Sequence, residues 1–141
     1  MKIFLDTNVI LDIYFPERQG KQNALLILQV GNKPLSSRTY VSSLTIANSH
    51  YILRKAQGAE QALCCIKELF ETCKIAKVDD FAVYHALRSG SPDFEDALQI
   101  ASAESNACDV IVTHDKKHYS GYTVIPVYTP EEFLAHCRKL V

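Results

Sequence analysis

Two aspartates follow, in the sequence, apolar runs that are predicted to form buried strands. Asp6 directly follows Ile3–Leu5, and one residue separates Asp115 from the run Val110–Thr113. Where neighbouring strands run parallel, their carboxyl ends meet at one edge of the sheet, and open α/β folds bind ligands at that edge. We therefore expect both carboxylates there. Aspartate is also a common helix cap. From this stretch alone, a role for Asp6 as the cap of the next helix is as good an explanation as a role in ligand binding.

A second pair of aspartates, Asp93 and Asp96, opens the predicted helix D-F-E-D-A-L-Q-I-A-S-A. Residues three apart share one face of a helix, so the two carboxylates lie near each other. Capping alone would explain Asp93, whereas Asp96 lies among apolar residues, where an unpaired carboxylate is costly. Clustered carboxylates repel one another, and hard oxygen ligands suit Mg²⁺ or Mn²⁺. Asp79 and Asp80, which end the strand predicted at Lys74–Val78, are expected at the same edge as the other four aspartates, and this gathering of acids predicts a metal site.

The elements that must position these side chains alternate along the chain. Strands are predicted at Ile3–Leu5, Leu35–Ser42, Lys74–Val78, Val110–Thr113 and Val124–Tyr128. Helices are predicted at Gln22–Val30, Ile46–Lys55, Ala59–Thr72, Phe81–Arg88, Phe94–Asn106 and Pro130–Leu140. Such alternation predicts an α/β protein with three α/β/α layers around a mainly parallel sheet of about five strands.

Composition favours one domain over residues 1–141 and excludes several classes of protein. The chain has 141 residues, 48% of them hydrophobic and 22% charged, and its apolar runs are far shorter than the roughly 20 residues that span a bilayer. We expect a cytoplasmic protein with no membrane association. The net charge of −1 argues against nucleic-acid binding through bulk charge, although a local basic patch remains compatible with it. The five cysteines contain no C-x-x-C pair, which predicts free thiols rather than a zinc site or a disulfide framework.

Four segments together resemble the PIN domain, the fold of VapC-type toxin ribonucleases. They are F-L-D-T-N-V-I-L-D, S-S-L-T-I-A-N, D-F-E-D-A-L-Q-I-A-S-A and V-I-V-T-H-D-K-K-H-Y, in this order over essentially the whole chain. The resemblance implies a single PIN-like domain that hydrolyses RNA phosphodiester bonds with one or two Mg²⁺ or Mn²⁺ ions. By position, it implies Asp6, Asp96 and Asp115 as catalytic metal ligands and Asp93 as a further ligand. Polar side chains that order these acids are implied at Thr7, Asn8 and Thr113.

Asn48 departs from the family pattern. The family generally has a glutamate on the helix after S-S-L-T, and the matching position here is Asn48. Its amide oxygen can coordinate a hard cation but supplies no charge, so we expect Asn48 to order the site and the metal affinity to fall. The alternative function is therefore a catalytically degenerate PIN domain that binds RNA or a protein without cleaving. His118, where the family often has an acid, is expected to be an ordinary surface residue.

A phosphatase of the haloacid dehalogenase type also begins with a strand-end aspartate. Its D-x-D-x-T pattern requires a second carboxylate where this chain has Asn8, which disfavours that function.

Three partners are expected. RNA is the substrate that the resemblance implies, and Lys116 and Lys117 follow Asp115 closely enough to receive its phosphates. An antitoxin protein is expected if the chain is the toxin of a toxin–antitoxin pair. A homodimer is expected from the resemblance and from the apolar helices around Leu25–Val30 and Ile46–Leu53, because a helix that is apolar around much of its surface needs more cover than one sheet face gives.

Overall fold

A parallel five-stranded sheet forms the centre of the computed structural model, which describes residues 1–32 and 38–140. Its strands are β1 (Lys2–Leu5), β2 (Arg38–Ser42), β3 (Lys74–Ala76), β4 (Val110–Val112) and β5 (Val127–Tyr128). All pairings are parallel and the order is β3-β2-β1-β4-β5, so β1 lies in the middle. The predicted α/β class and five-stranded parallel sheet are confirmed.

Helices cover both faces of the sheet. They are α1 (Thr7–Tyr14), a short 3₁₀ helix (Pro16–Arg18), α2 (Lys21–Gly31), α3 (Ser43–Gln57), α4 (Ala59–Thr72), α5 (Asp80–Arg88), α6 (Phe94–Ser105), α7 (Lys116–Ser120) and α8 (Pro130–Lys139). No helix in the described ranges has the length and apolar character needed to cross a membrane.

The alternation of side chains along β1 divides the core between the two faces. Ile3 and Leu5 point to one face, where they share a buried cluster with residues of α1, α2 and α8, including Ile27 and Phe133. Phe4 points to the other face and joins a cluster built from α6, β4 and α7. The central strand is therefore buried on both faces, and Asp6, which follows it, lies between the two layers of helices.

Several strand boundaries differ from the prediction. The strand predicted at Val124–Tyr128 contains only Val127 and Tyr128, because Val124 is 97% exposed and the hydroxyl of Thr123 accepts a hydrogen bond from the backbone N–H of Ile125. Such a local bond competes with strand pairing.

Two more predicted strands compare differently with the structure. The strand predicted at Lys74–Val78 ends at Ala76, where the backbone N–H of Val78 turns to donate to the hydroxyl of Ser43. The strand predicted at Leu35–Ser42 is observed from Arg38, and residues 35–37 lie outside the described residues. The lysines after Asp115 begin the short helix α7.

Candidate metal centre

Asp6 occupies the carboxyl end of the central strand. Leu5 pairs with Val112, and the backbone N–H of Asp6 donates to the Val112 carbonyl at 3.0 Å, so Asp6 and Thr113 leave the sheet side by side. The Asp6 carboxylate is almost fully buried and accepts from the Thr113 hydroxyl at 2.7 Å and from the backbone N–H of Thr7 at 2.7 Å. Asp6 therefore caps α1 and also faces the edge of the sheet, so the two explanations of this residue are compatible.

Gln99, on α6, joins four elements around Asp6. Its side-chain amide N–H group lies within hydrogen-bond distance of Asp6 Oδ1 at 3.2 Å, of the Thr7 hydroxyl at 3.3 Å and of the Thr45 hydroxyl at 2.8 Å. Its carbonyl oxygen accepts from the hydroxyl of Ser42. Gln99 is 1% exposed, so this satisfied network fixes its side chain. Gln99 was not predicted as a site residue, although an amide within an apolar helical segment and three residues after Asp96 was an available signal.

Asp96 lies in the first turn of α6 and faces the same space as Asp6. Its Oδ2 atom is buried and has no hydrogen-bond partner among the residues that the structure describes. Burial, and then the negative charges of Asp6, Asp93 and Asp115, raise the pKa of Asp96 to about 7. Burial also raises the pKa of Asp6, against the opposing effect of its hydrogen bonds. Charged forms of these two groups are therefore unfavourable unless a cation lies between them.

Tyr119 places a buried hydroxyl beside both carboxylates. The residue is 0% exposed, and burial followed by the charges of Asp6 and Asp96 raises the pKa of its phenol. The hydroxyl lies close enough to affect both carboxylates but forms no hydrogen bond of ordinary geometry with any described residue. Tyr119 was also missed, since nothing in V-T-H-D-K-K-H-Y indicates which way this side chain points.

Asp93 and Asp115 border the buried pair. Asp93 caps α6 by accepting from the backbone N–H of Asp96 at 3.0 Å, as the capping explanation proposed. Ligand atoms of Asp93, Asp96 and His118 nevertheless lie within 4.8 Å of one another, and His118 Nδ1 is 3.4 Å from Asp96 Oδ2. His118 is thus exposed, as expected, yet it contacts the cluster. Asp115 is exposed and accepts from the Asn8 side chain at 3.3 Å.

The polar residues expected to order the acids make direct contacts with them or with one another. The side-chain nitrogen of Asn8 is 3.4 Å from the Thr113 hydroxyl oxygen. The side-chain oxygen of Asn8 accepts a hydrogen bond from the backbone N–H of His114 at 3.2 Å. The hydroxyls of Thr7 and Thr45 share a hydrogen bond of 2.8 Å. Asn8 therefore connects the start of α1 to the loop that carries Asp115.

Asn48 lies one helical turn after Thr45, on the same face of α3. Its side-chain amide donates to the Glu95 carboxylate at 2.5 Å. Glu95 in turn precedes Gln99 by one turn of α6, so the pairs Thr45–Gln99 and Asn48–Glu95 connect α3 to α6 at successive levels. The glutamate that the family places on α3 is missing here, but a carboxylate from α6 lies against the asparagine that replaces it.

The two lysines expected to contact RNA differ. Lys116 Nζ lies 3.0 Å from the Glu132 carboxylate, so its charge is already paired. Lys117 is exposed and has no ion-pair partner among the described residues. The pairing of Lys116 weakens its role as a phosphate contact.

These side chains fit a hard divalent cation. The carboxylates of Asp6 and Asp96 supply negative oxygen ligands, which Mg²⁺ and Mn²⁺ prefer. The Oδ2 of Asp96 is the observation that tests the fit. It is buried and accepts no hydrogen bond from the described residues, although His118 Nδ1 lies 3.4 Å away, and such an oxygen is costly unless a cation or water meets it. The same residues without a cation would hold repelling charges at close range.

Comparison with known proteins relates the sequence to one protein family. The family model described as "PIN domain" matches residues 2–117. Ribonuclease VapC1 of Aquifex aeolicus (strain VF5) is 31% identical over 139 residues, which cover 94% of this chain and 92% of that protein.

Solved structures share the fold at lower identity. The structure of VapBC-1 from nontypeable Haemophilus influenzae has a TM-score of 0.72 at 22% identity and covers 93% of this chain and 99% of that chain. A toxin–antitoxin complex from Klebsiella pneumoniae has a TM-score of 0.67 at 18% identity and covers 91% of this chain and 97% of that chain.

Replacing Asp96 by asparagine tests whether the cluster is strained without a cation. In EDTA at pH 8, above the pKa of about 7, Asp96 is charged and destabilises the folded protein. We expect Asp96→Asn to raise the melting temperature by about 5 °C at that pH, and the gain to shrink as the pH falls below 7. Thermal unfolding followed by circular dichroism measures both.

Asp80→Asn is the matched control, because Asp80 is exposed in the first turn of α5, where a negative charge is favourable. This variant should lower the melting temperature slightly. If Asp96→Asn has a lower melting temperature than the wild type under the same conditions, charged Asp96 does not destabilise the folded protein and the prediction is wrong.

Proposed function

The chain belongs to the PIN domain family, and from this membership we propose that it is an endoribonuclease that hydrolyses RNA phosphodiester bonds with Mg²⁺ or Mn²⁺. The observation that carries the proposal is the buried carboxylate oxygen of Asp96, which accepts no hydrogen bond from the described residues, next to the buried carboxylate of Asp6. The relative from Aquifex aeolicus, which is named a ribonuclease, supports it. We propose Asp6, Asp96 and Asp115 as the catalytic residues and add Asp93 to the metal ligands.

Each residue has a defined task in this proposal. Asp6 and Asp96 would hold the ion, and Asp93 and Asp115 would add negative charge beside them. When bound, a divalent ion supplies an activated water near neutral pH and offsets the charge that develops on the cleaved phosphate. Thr113 and Gln99 hold the Asp6 carboxylate in one orientation through hydrogen bonds of 2.7 Å and 3.2 Å. The supporting donors are uncharged, so they fix Asp6 without neutralising it.

The degenerate PIN module remains the second candidate, because Asn48 removes one negative ligand. The contact between Asn48 and Glu95 favours the enzyme over the module. Glu95 brings a carboxylate against the asparagine that occupies the family's glutamate position on α3, and this carboxylate would supply a negative charge next to that position.

RNA cleavage by purified protein tests the proposal directly. We expect slow cleavage of single-stranded RNA with Mn²⁺ or Mg²⁺, none in EDTA, and none with Asp6→Asn. Thr113→Val keeps the shape of the side chain but removes the donor to Asp6, so activity should fall by roughly 10- to 100-fold, as for other residues that support a metal ligand. Cleavage is measured on a labelled oligonucleotide by gel electrophoresis.

Asp80→Asn serves as the control on another helix and should cleave at the wild-type rate. If neither ion supports cleavage and neither raises the melting temperature of the wild-type protein, the degenerate module is the better explanation.

Asn48→Glu distinguishes the two candidates by the sign of its effects. The new carboxylate faces Glu95 across a contact that is now 2.5 Å, so the two charges should repel and lower the melting temperature in EDTA. A bound cation relieves this repulsion, and the rise in melting temperature on adding Mn²⁺ should therefore exceed that of wild type. Asn48→Gln keeps an uncharged amide and is the control. If Asn48→Glu has a lower melting temperature than the wild type and Mn²⁺ does not raise it back, position 48 lies outside the metal site.

We further propose a toxin role, with an antitoxin as protein partner in the cytoplasm, and a homodimer. The toxin–antitoxin complex from Klebsiella pneumoniae, which shares the fold, supports the first. For the homodimer, the support is apolar exposure on the helices that the sequence singled out: Leu25 is 41% exposed, Tyr51 60% and Ile52 38%. A gene for a small DNA-binding protein beside this one would strengthen the toxin assignment.

Light scattering coupled to size exclusion measures the dimer. At micromolar concentration we expect twice the monomer mass of 15.8 kDa. Tyr51→Glu places a charge on the exposed apolar surface of α3 and should shift the mass towards the monomer, since buried unpaired charge is costly. Lys139→Glu changes charge at the end of α8 and should leave the mass unchanged. A monomer mass for the wild type would remove the dimer from the proposal.

A further inference from the structure

A second buried aspartate, Asp12 on α1, lies outside the metal centre. It is 2% exposed, and its Oδ1 atom accepts from Arg18 Nε at 2.9 Å while its Oδ2 atom lies 2.6 Å from His114 Nε2. Gly20 packs directly against it: a Cβ at this position would lie 2.1 Å from Asp12 Oδ2. The chain thus leaves room for a carboxylate whose oxygens face one arginine and one histidine.

This arrangement fixes Arg18 at the mouth of the acidic cluster. Besides its bond to Asp12, the guanidinium donates through Nη2 to the backbone carbonyl of Asn8 at 3.1 Å. The side chain of Asn8 contacts Thr113 and Asp115 on its other side. Asn8 therefore contacts both Arg18 and two residues of the metal centre, and the Arg18 side chain is 37% exposed.

RNA needs a cation at this place. The cluster presents the carboxylates of Asp93, Asp96 and Asp115 to an incoming phosphate, and these repel it. Lys116, on the other side of Asp115, is paired with Glu132. The guanidinium of Arg18 has five N–H groups in a planar fork, which suits bidentate binding of phosphate, and its two bonds leave several of these donors available.

Preorganisation strengthens the assignment. A free arginine loses side-chain conformational entropy when it binds a phosphate, whereas Arg18 is already oriented by Asp12 and the Asn8 carbonyl. His114 contributes by occupying the second oxygen of Asp12, and its backbone N–H bonds to the Asn8 side chain. Helix α1 thus holds the guanidinium directly, and the segment that carries His114 supports it through Asp12.

We propose that Arg18 binds a phosphate of the RNA backbone beside the metal centre, and that Asp12 and His114 are positioning residues that orient it. This assignment rests on the proposed ribonuclease function, since it names where the substrate backbone lies relative to the acids.

The salt dependence of RNA binding tests the proposal independently of cleavage. Anisotropy of a labelled single-stranded RNA is measured in EDTA, where metal-dependent hydrolysis cannot proceed, from about 50 to about 200 mM NaCl. Each phosphate contact contributes about 0.7 to the slope of log K against log [salt] for a single strand. Arg18→Gln should weaken binding at low salt and reduce the magnitude of the slope by about 0.7.

Two further variants separate a phosphate contact from a purely structural ion pair. Arg18→Lys keeps the charge but cannot bond Asp12 and Asn8 as a fork, so its slope should stay near the wild-type value while its affinity falls. Arg54→Gln removes an exposed arginine from the last turn of α3, about 20 Å along the helix from the carboxyl edge of the sheet, and should change neither slope nor affinity.

The outcomes are distinguishable. A wild-type slope in an Arg18→Gln protein that remains folded, as judged by its thermal unfolding, overturns the phosphate contact even if RNA is cleaved. A reduced slope in Arg18→Gln but not in Arg54→Gln supports the contact even if no cleavage is found, in which case it is the nuclease assignment that fails. If Arg18→Gln does not fold, Arg18→Met takes its place, since it keeps the apolar stem and removes the charge: a slope reduced by about 0.7 supports the contact, and a wild-type slope overturns it.

Discussion

The burial of a carboxylate at the end of the central strand is the constraint on which the rest of the site depends. Asp6 is 5% exposed and follows a strand that is buried on both faces. A charge in that position is tolerated only with hydrogen bonds or a cation. The Thr113 hydroxyl, the Thr7 backbone and Gln99 supply the hydrogen bonds. Asp96 then brings a second carboxylate into the same space, and hydrogen bonds alone cannot offset the repulsion between the two.

Asp6 and Asp12, the two buried aspartates near α1, are stabilised by different kinds of partner. Asp12 is paired with Arg18 and lies against His114, whereas no lysine or arginine within residues 1–32 and 38–140 pairs with Asp6. Fold stability alone would be served by a basic partner in both places. Uncharged donors around Asp6 hold its geometry and leave its negative charge for an external cation, as a metal ligand requires.

The fold was predictable from the sequence because alternating apolar runs and helical periods define α/β layers without knowledge of distant contacts. The aspartates at the strand ends followed from the same pattern. Gln99 and Tyr119 did not, because their roles depend on which way a side chain points once α6 and α7 pack on the sheet. The pairing of Lys116 with Glu132 was equally inaccessible, since it depends on where α8 begins relative to β4.

Asn48 shows why a single substitution does not decide activity. Judged by position, it removes a negative ligand and favours a degenerate domain. In three dimensions its amide donates to Glu95, which lies one turn from Gln99 on α6. A glutamate at position 48 would face Glu95 at a distance where two carboxylates repel, so asparagine and Glu95 are mutually compatible. The negative charge of the site therefore has to be counted over all the elements that meet at the sheet edge, including the helix opposite α3.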